Sequence, residues 1–449
     1  MLDQQSSDVE LAEALGNARY ATLAGHPATE AATTLVDSLA KKESGRRQKS
    51  RSSAGLEDLR KALGGFIADL LFAHNDANAR GFVYRPLSPR NFTGGPVSHR
   101  VFTSMVDALE AWGLLERVKG FQRWTEDPSA GARIPHQAFA TRFRATAALL
   151  SLCQDSGIDT SNVEDHFHQG LPEHPLVLKG TSRRNEYGRK VEGKYLKFDP
   201  TPRTEELEGQ IIALNKFLDG FDIRGGRHRG FIRGFNNGDQ PDFDWNKGGR
   251  LYSQPDTSYQ QLSKEDRLRM TINGEPVVEV DIRASYLTIL HALCHRSADL
   301  PEDPYAVPSI PRDIVKMWVV PTLGFDGHLK RWPPEMAKEF LAEHGKKLGK
   351  VWPLKKVRES VTAALPLLKD WGTLGVTWAD LMYLESEAVL RTMLKLMAME
   401  IPSLPVHDSL IVPRSAEIDL IPILKEQYRA VCGVEPKLKR DSCPIAVAA

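Results

Sequence analysis

Glu279-Val280-Asp281-Ile282-Arg283-Ala284-Ser285-Tyr286 joins two patterns in one stretch. Upstream, Val277, Val278 and Val280 are β-branched and follow an Asn273-Gly274 turn signal, which predicts a strand. Downstream, Tyr286-Leu287-Thr288-Ile289-Leu290-His291-Ala292-Leu293 spaces its apolar residues as a helix does. Alternate strand residues share a face, so Glu279 and Asp281 point one way and Val278 and Val280 the other. Asp281 therefore stands at a strand-to-helix corner. It either caps the helix that starts near Ala284 or, being costly to bury alone, holds a metal ion. A second Asp has a similar setting. Leu404-Pro405-Val406-His407-Asp408-Ser409-Leu410-Ile411-Val412-Pro413 reads as a hairpin with His407-Asp408 at its tip. Two isolated aspartates on adjacent β elements suit phosphoryl chemistry with two divalent ions roughly 4 Å apart, one activating the attacking oxygen and one stabilising the leaving oxygen.

A chain of 449 residues predicts two or three domains with a sizeable core. The net charge of +1 does not mark a nucleic-acid binder by itself, but the basic residues cluster. Lys41 to Arg51 holds six basic residues and one acidic, Lys179 to Lys197 seven against two, and Arg224 to Arg233 four against none. Local clusters make a phosphate-binding footprint; a solvated surface is the plainer reading of each. Cys153, Cys294, Cys432 and Cys443 form no CxxC pair, which argues against a disulfide framework or a zinc site. No apolar run is long enough for a membrane span and no signal-peptide core is evident, so a cytoplasmic setting is expected.

Residues 1–55 end in a polar, basic stretch and are expected to be a flexible leader and linker. Residues 56–150 resemble a winged helix-turn-helix by pattern: helices over Leu56–His74 and Ser98–Trp112, a strand over 113–120, a polar loop with Asp127-Pro128, and a return strand near 132–135. In such modules the second helix contacts DNA, here through His99 and Arg100; a structural module without DNA contact is the alternative. A helix is predicted over Thr141–Asp155. His166, His168 and His174 follow, without a Cys or acidic partner at metal-ligand spacing. Arg183, Arg184, Arg189 and Lys190 lie at a predicted hairpin. Residues 151–240 are expected to form a helical, basic, thumb-like connection containing a helix over Glu205–Asp219. In Arg224–Arg233, glycine permits close backbone approach and arginine supplies charge. Gly248-Gly249 is expected to bring backbone close to a ligand beside Arg250. Pro311 suits a helix start, and Arg312 and Lys316, four apart, share a face that suits a triphosphate or is simply solvated. Pro321 and Gly324-Phe325-Asp326-Gly327 end or kink that helix. Long helices over Thr377–Met399 and Glu417–Cys432 flank the hairpin.

Together and in order, these motifs resemble the polymerase core of family A DNA polymerases and the related single-subunit phage-type RNA polymerases. Asp244-Trp245…Gly249-Arg250-Leu251-Tyr252 is similar to the upstream D/T-x-x-G-R element, with two extra residues, and Asp281 follows 31 residues after Arg250 in the place of motif A. Arg312-x-x-x-Lys316 resembles the start of motif B and His407-Asp408-Ser409 resembles motif C. The resemblance covers about residues 240–449. It implies an α+β fold: a right-hand core of antiparallel palm sheet with helical fingers (about 300–350) and thumb, preceded by the mostly helical, winged-helix-like domain, with palm and fingers in 241–449.

The resemblance also implies roles. Asp281 and Asp408 would hold two Mg²⁺ ions, with Mn²⁺ able to substitute. Arg312 and Lys316 would hold the incoming triphosphate, Lys316 donating a proton to the leaving pyrophosphate. His407 would lie by the primer 3′ end, and Arg250, Gly249 and Tyr252 by the template–primer. Tyr286, five residues after Asp281, would sit beneath the sugar and exclude a 2′-OH; Phe325 would be the stacking ring. The chain departs from the family at three points: Tyr286 replaces a Glu, Ser409 is the RNA-polymerase-like choice, and the motif B Tyr-Gly is unmatched. No Asp-x-Glu exonuclease pattern is evident, so proofreading is not expected. The expected function is a template-dependent DNA polymerase acting on DNA template–primer and dNTPs, with accessory replication proteins as partners and a phage or mobile element as the setting. A primase or RNA polymerase of the same fold, and a non-catalytic replication initiator, are the alternatives.

Overall fold

The computed structural model describes residues 15–76, 79–92, 95–126, 133–184, 190–191, 193–254, 258–297, 300–325 and 327–442. Helices and largely antiparallel sheets are built on two main apolar cores, one gathering residues from Ala21 to Phe167 and one from Ile211 to Cys432. Helix Glu30–Gly45 is capped by the Thr29 hydroxyl and helix Ser53–His74 by Ser52. Leu35, Val36 and Leu39 recur at helical spacing and are buried with Leu59, Leu63 and Phe66. Residues 19–55 are therefore structured, with Arg19–Tyr20 in a sheet, and are not the expected flexible leader.

Phe82–Arg85 pairs with Arg19–Tyr20 and with Thr141–Ala145, which in turn pairs with Leu115–Val118. Phe121–Glu126 and Arg133–Phe139 form a ribbon; the expected Asp127-Pro128 loop lies outside the described residues. The helix expected from Thr141 begins only at Ala147. Two strand partners claim Thr141–Ala145, and Thr146 caps the helix. That helix buries Leu149 and Cys153 in the N-terminal core, and Phe167–Gln169 pairs with Gly25–Pro27. The first unit thus runs to about residue 169 and not 150.

Leu176–Lys179, Tyr195–Leu196, Phe231–Phe235 and Gly248–Ser253 share one sheet, and helix Pro202–Leu218 packs beside it. The sheet crosses residue 240, so 151–240 is not a separate helical connection: its strands are completed from beyond that boundary. In the next sheet, Glu275–Ile282 pairs with Ser409–Pro413 and Leu438–Ser442. It follows Thr271–Ile272 through Asn273 and Gly274, both at positive φ (50° and 79°), the backbone a tight hairpin requires. Val277, Val278, Val280 and Ile282 are at most 1% exposed, so this strand is covered on both faces. Helix Trp378–Ala398 starts with a reciprocal Thr377–Asp380 cap and packs on Gly248–Ser253, helix Ser285–Leu293 and helix Glu417–Cys432. The region expected as fingers is helical: Arg312–Leu323, Pro334–His344, Leu348–Val351 and, past residue 350, Leu354–Ala364. Pro321 does not end the first of these, which runs on to Leu323. Among the described residues no helix is long and apolar enough to cross a membrane.

Candidate active site

Asp281 is the penultimate residue of its strand and pairs in register with Ser409. Asp408 occupies the tip of the hairpin whose strands Leu404–Val406 and Ser409–Pro413 are joined by His407-Asp408 alone. The Ile282 amide donates to the Asp408 carbonyl at 3.1 Å, which ties the tip to the end of the strand. The strand-end Asp281 and the hairpin-tip Asp408 are thereby neighbours. His407 (φ 59°) and Ala284 (φ 51°) both hold left-handed backbone without being glycine. Such strain persists where surrounding structure over-determines it, and here it brackets both carboxylates. Ala284, with no side-chain cap, is the N-cap of helix Ser285–Leu293, so Asp281 is not the cap.

Glu279, which shares the face of Asp281, has a different environment. It is 3% exposed, receives two bonds from Arg267 (2.8 and 3.0 Å) and accepts from the Ser409 hydroxyl at 2.9 Å. Among the described residues neither Asp281 nor Asp408 has a cation within ion-pair reach. Desolvation raises the Asp281 pKa, offset in part by Lys264. Desolvation, then Glu385, then Asp281 hold the Asp408 carboxyl well above the usual carboxylate range. An acidic pair with no cation in direct contact is the environment a divalent cation relieves, so the residues present fit such an ion. Among the described residues no group of three or more His, Cys, Asp or Glu is arranged for a metal. Any ion here would depend on these two carboxylates, backbone and substrate oxygens.

Arg250 links three elements. One guanidinium nitrogen donates to Glu385 of the long helix at 2.6 Å and to the Tyr286 hydroxyl at 3.2 Å, while the guanidinium lies 5.8 Å from the Tyr286 ring centre. Glu385 is 1% exposed. The sequence reading missed Glu385, although a signal was present: it sits on the buried stripe of its helix between Leu381 and Ala388. Burial, then Glu385, raises the Tyr286 pKa and keeps its hydroxyl protonated. Tyr252, two residues after Arg250 on the same strand face, is 39% exposed.

Gly248 and Gly249 have φ of 83° and 80°, but they do not open space for a ligand. A Cβ on Gly248 would lie 2.4 Å from the Asn236 side chain, and one on Gly249 would lie 3.1 Å from Ser386 on the long helix. Their role is close packing, Gly248 against the end of the neighbouring strand and Gly249 against the long helix, which corrects the ligand-approach expectation. Lys316 is exposed on helix Arg312–Leu323, has no ion-pair partner among the described residues, and lowers the Asp281 pKa through its charge. Arg312 is held by Asp303 (2.8 Å) and lies over Tyr305 (5.2 Å). Phe325 lies past the helix end, where its carbonyl accepts from Trp371. His407 is exposed, yet desolvation by surrounding protein and then the Arg250 and Arg267 charges push its pKa down to about 4.

The remaining candidates disperse. His166 bonds Thr29 and the Asp159 amide, His168 faces His26, and His174 meets Glu208. His99 is occupied by the Leu87 carbonyl (3.0 Å) and packs on Phe92, which leaves Arg100 exposed on that helix. Arg183–Arg184 pairs with Lys190–Val191; Arg189 lies outside the described residues. Cys153, Cys294 and Cys432 are free thiols, and Cys443 lies outside the described residues.

No model of a known protein family matches the chain, and no curated protein matches it. Among solved structures, it is similar to the POL domain of Pol1 from M. smegmatis in complex with DNA primer-template and dNTP. The identity is 12% and the TM-score 0.30, over 91% of this chain and 65% of that one, so the chain spans less than two thirds of that solved domain.

Proposed function

We propose that the chain is a template-dependent DNA polymerase of the family A type, transferring a nucleotide from a dNTP to a primer 3′-OH. The observation that carries this reading is the Asp281–Asp408 pair, which has no cation in direct contact among the described residues, with exposed Lys316 near enough for its charge to act on Asp281 and Tyr286 held by Arg250. Asp281 and Asp408 would hold Mg²⁺, with Mn²⁺ able to substitute; bound ions of this kind supply charge neutralisation at the attacking and leaving oxygens. The chain's own residues do the rest. Lys316, with Arg312 at the same helix start, binds the triphosphate and gives a proton to the departing pyrophosphate. The Tyr286 ring lies beneath the sugar and leaves no room for a 2′-OH. His407, neutral at pH 7, borders the primer end. Arg250 acts on Tyr286 through its hydroxyl, and Tyr252 is the exposed group of that strand for the template–primer.

Ser409 does not argue for an RNA product, because its hydroxyl is committed to Glu279 and the Val406 carbonyl. The test is extension of a labelled primer–template in Mg²⁺, with dNTPs and NTPs supplied separately, for the parent and for Asp281→Asn and Asp408→Asn. Extension with dNTPs that both variants lose is expected. Duplex binding without extension under either nucleotide set would sink the reading in favour of a non-catalytic initiator.

A further inference from the structure

Between the two cores lies a half-open cleft of about 510 Å³, lined on one side by Arg19 and Asn75 and on the other by Leu218, Arg227 and Arg229. We propose that its Arg227–Arg229 edge is a binding site for the phosphate backbone of the primer–template, separate from the Asp281–Asp408 corner. Three observations carry this. First, the loop is rigidly held. The Arg229 amide donates to the Gln254 carbonyl (2.7 Å), the Arg227 carbonyl accepts from Tyr259 (2.9 Å), and buried Asn215 holds both the amide and carbonyl of Phe231. Gly230, at φ 84°, comes so close to Pro172 that a Cβ would meet it at 2.8 Å. Second, the side chains divide by position. His228 turns inward, bonding Ser253 at 2.8 Å and packing on Phe231 and Tyr259, while Arg227 and Arg229 on either side are exposed.

Third, these two arginines have no ion-pair partner among the described residues, whereas the other two arginines of the same basic run are ion-paired. Arg224 is bound to Asp222 (2.7 Å), and fully buried Arg233 to Glu387 (2.7 Å). Arg19 faces them with its own charge shared between the Phe72 carbonyl and Asp76. Glu164 and Asp219 also line the cleft, so the anion-binding part is the Arg227–Arg229 edge and not the whole volume. Two preorganised, uncompensated guanidinium groups on a fixed loop are suited to two phosphates of one strand. The site rests on the nucleic-acid part of the reading above but not on turnover.

The test is anisotropy of a labelled primer–template against the full chain across a NaCl series. For the Arg227→Ala/Arg229→Ala double variant, the slope of log K against log salt should become shallower by about two, and affinity should fall at least tenfold at low salt. The Arg227→Lys/Arg229→Lys variant should keep most of the slope, and Arg224→Ala should match the parent. An unchanged slope in the alanine variant, or an equal loss in Arg224→Ala, would overturn the proposal. So would calorimetry in which inorganic tripolyphosphate binding depends on the pair while duplex binding does not. A shallower slope in the alanine variant of a chain whose parent never extends primers would leave this site standing and remove the polymerase reading.

Discussion

Carboxylates taken out of water are treated in two ways in this molecule, and the N-terminal core and the Asp281–Asp408 corner show one each. In the N-terminal core, Glu43 is 5% exposed and is matched by Arg51 (2.7 and 2.9 Å), Arg47 and the Ser104 hydroxyl (2.7 Å). Asp69 has no cation in contact among the described residues and desolvation raises its pKa to about 6, yet the Leu23 amide and the Thr22 hydroxyl both donate to it. At the corner of the C-terminal sheet, Asp281 and Asp408 are crowded by other acids and lack a cation partner among the described residues. The first arrangement holds a fold together. The second leaves a charge to be met from outside, which is how a strained, desolvated site announces a ligand. The same contrast exists within one strand, where Glu279 is tied and Asp281, two residues on, is not.

The largest effect should come from breaking the corner. Asp281→Asn and Asp408→Asn should each lower primer extension by at least about 10³-fold. Asp408→Asn should meanwhile raise the melting temperature at pH 7. The sign follows from the raised pKa: the folded state binds this proton more tightly than the unfolded chain, so stability falls as pH rises through the carboxylate range, and the ionised group is a burden at neutrality. Added Mg²⁺ should raise the parent's melting temperature and not the variant's. A variant that melts lower than the parent without Mg²⁺ would mean Asp408 is structural, like Glu43.

Next comes the opposite end of the contrast. Glu43→Ala should destabilise the chain by about 3 kcal/mol in denaturant titrations, because it leaves Arg51 partly buried without its partner. Its extension rate per folded molecule should be unchanged. Smaller again, Glu385→Gln should loosen Arg250 and let Tyr286 shift. The ratio of ribonucleotide to deoxyribonucleotide incorporation would then rise by about tenfold, the equivalent of one displaced contact. Tyr286→Phe, which removes only the hydroxyl, should move the ratio in the same direction by less. An overall loss of activity with an unchanged ratio would make Glu385 merely structural.

The smallest effect concerns His407. Its folded pKa of about 4 lies below the ordinary 6.5, so the unfolded chain binds the proton more readily. Its contribution to stability is present above about pH 6.5 and is lost as pH falls towards 4. His407→Gln should flatten the loss of melting temperature across that window. An identical acid profile in the variant would show that other groups govern it.

Much of the corner was legible in the sequence. Val277–Val280 and Asn273-Gly274 set a strand and its turn, and the apolar run around His407-Asp408 set a hairpin. The spacing of Arg312 and Lys316 put both on one helix. Local propensity and periodicity act over a few residues, so they survive in the sequence. Partner choice does not. Arg250 and Glu385 are 135 residues apart, and only the packing of the long helix on its strand gives Arg250 to Tyr286 and not to solvent. Gly248 and Gly249 resemble a ligand loop until Asn236 and Ser386 are set against them. The four arginines of Arg224–Arg233 are equivalent in sequence, yet the fold neutralises two and leaves two facing a cleft. Sequence pattern alone placed strand Glu275–Ile282, the His407-Asp408 hairpin and helix Trp378–Ala398, and it showed where acidic and basic groups stand along the chain. Tertiary structure decided which of those charges are compensated, because compensation is a property of long-range neighbours, and an uncompensated charge is what can bind a substrate.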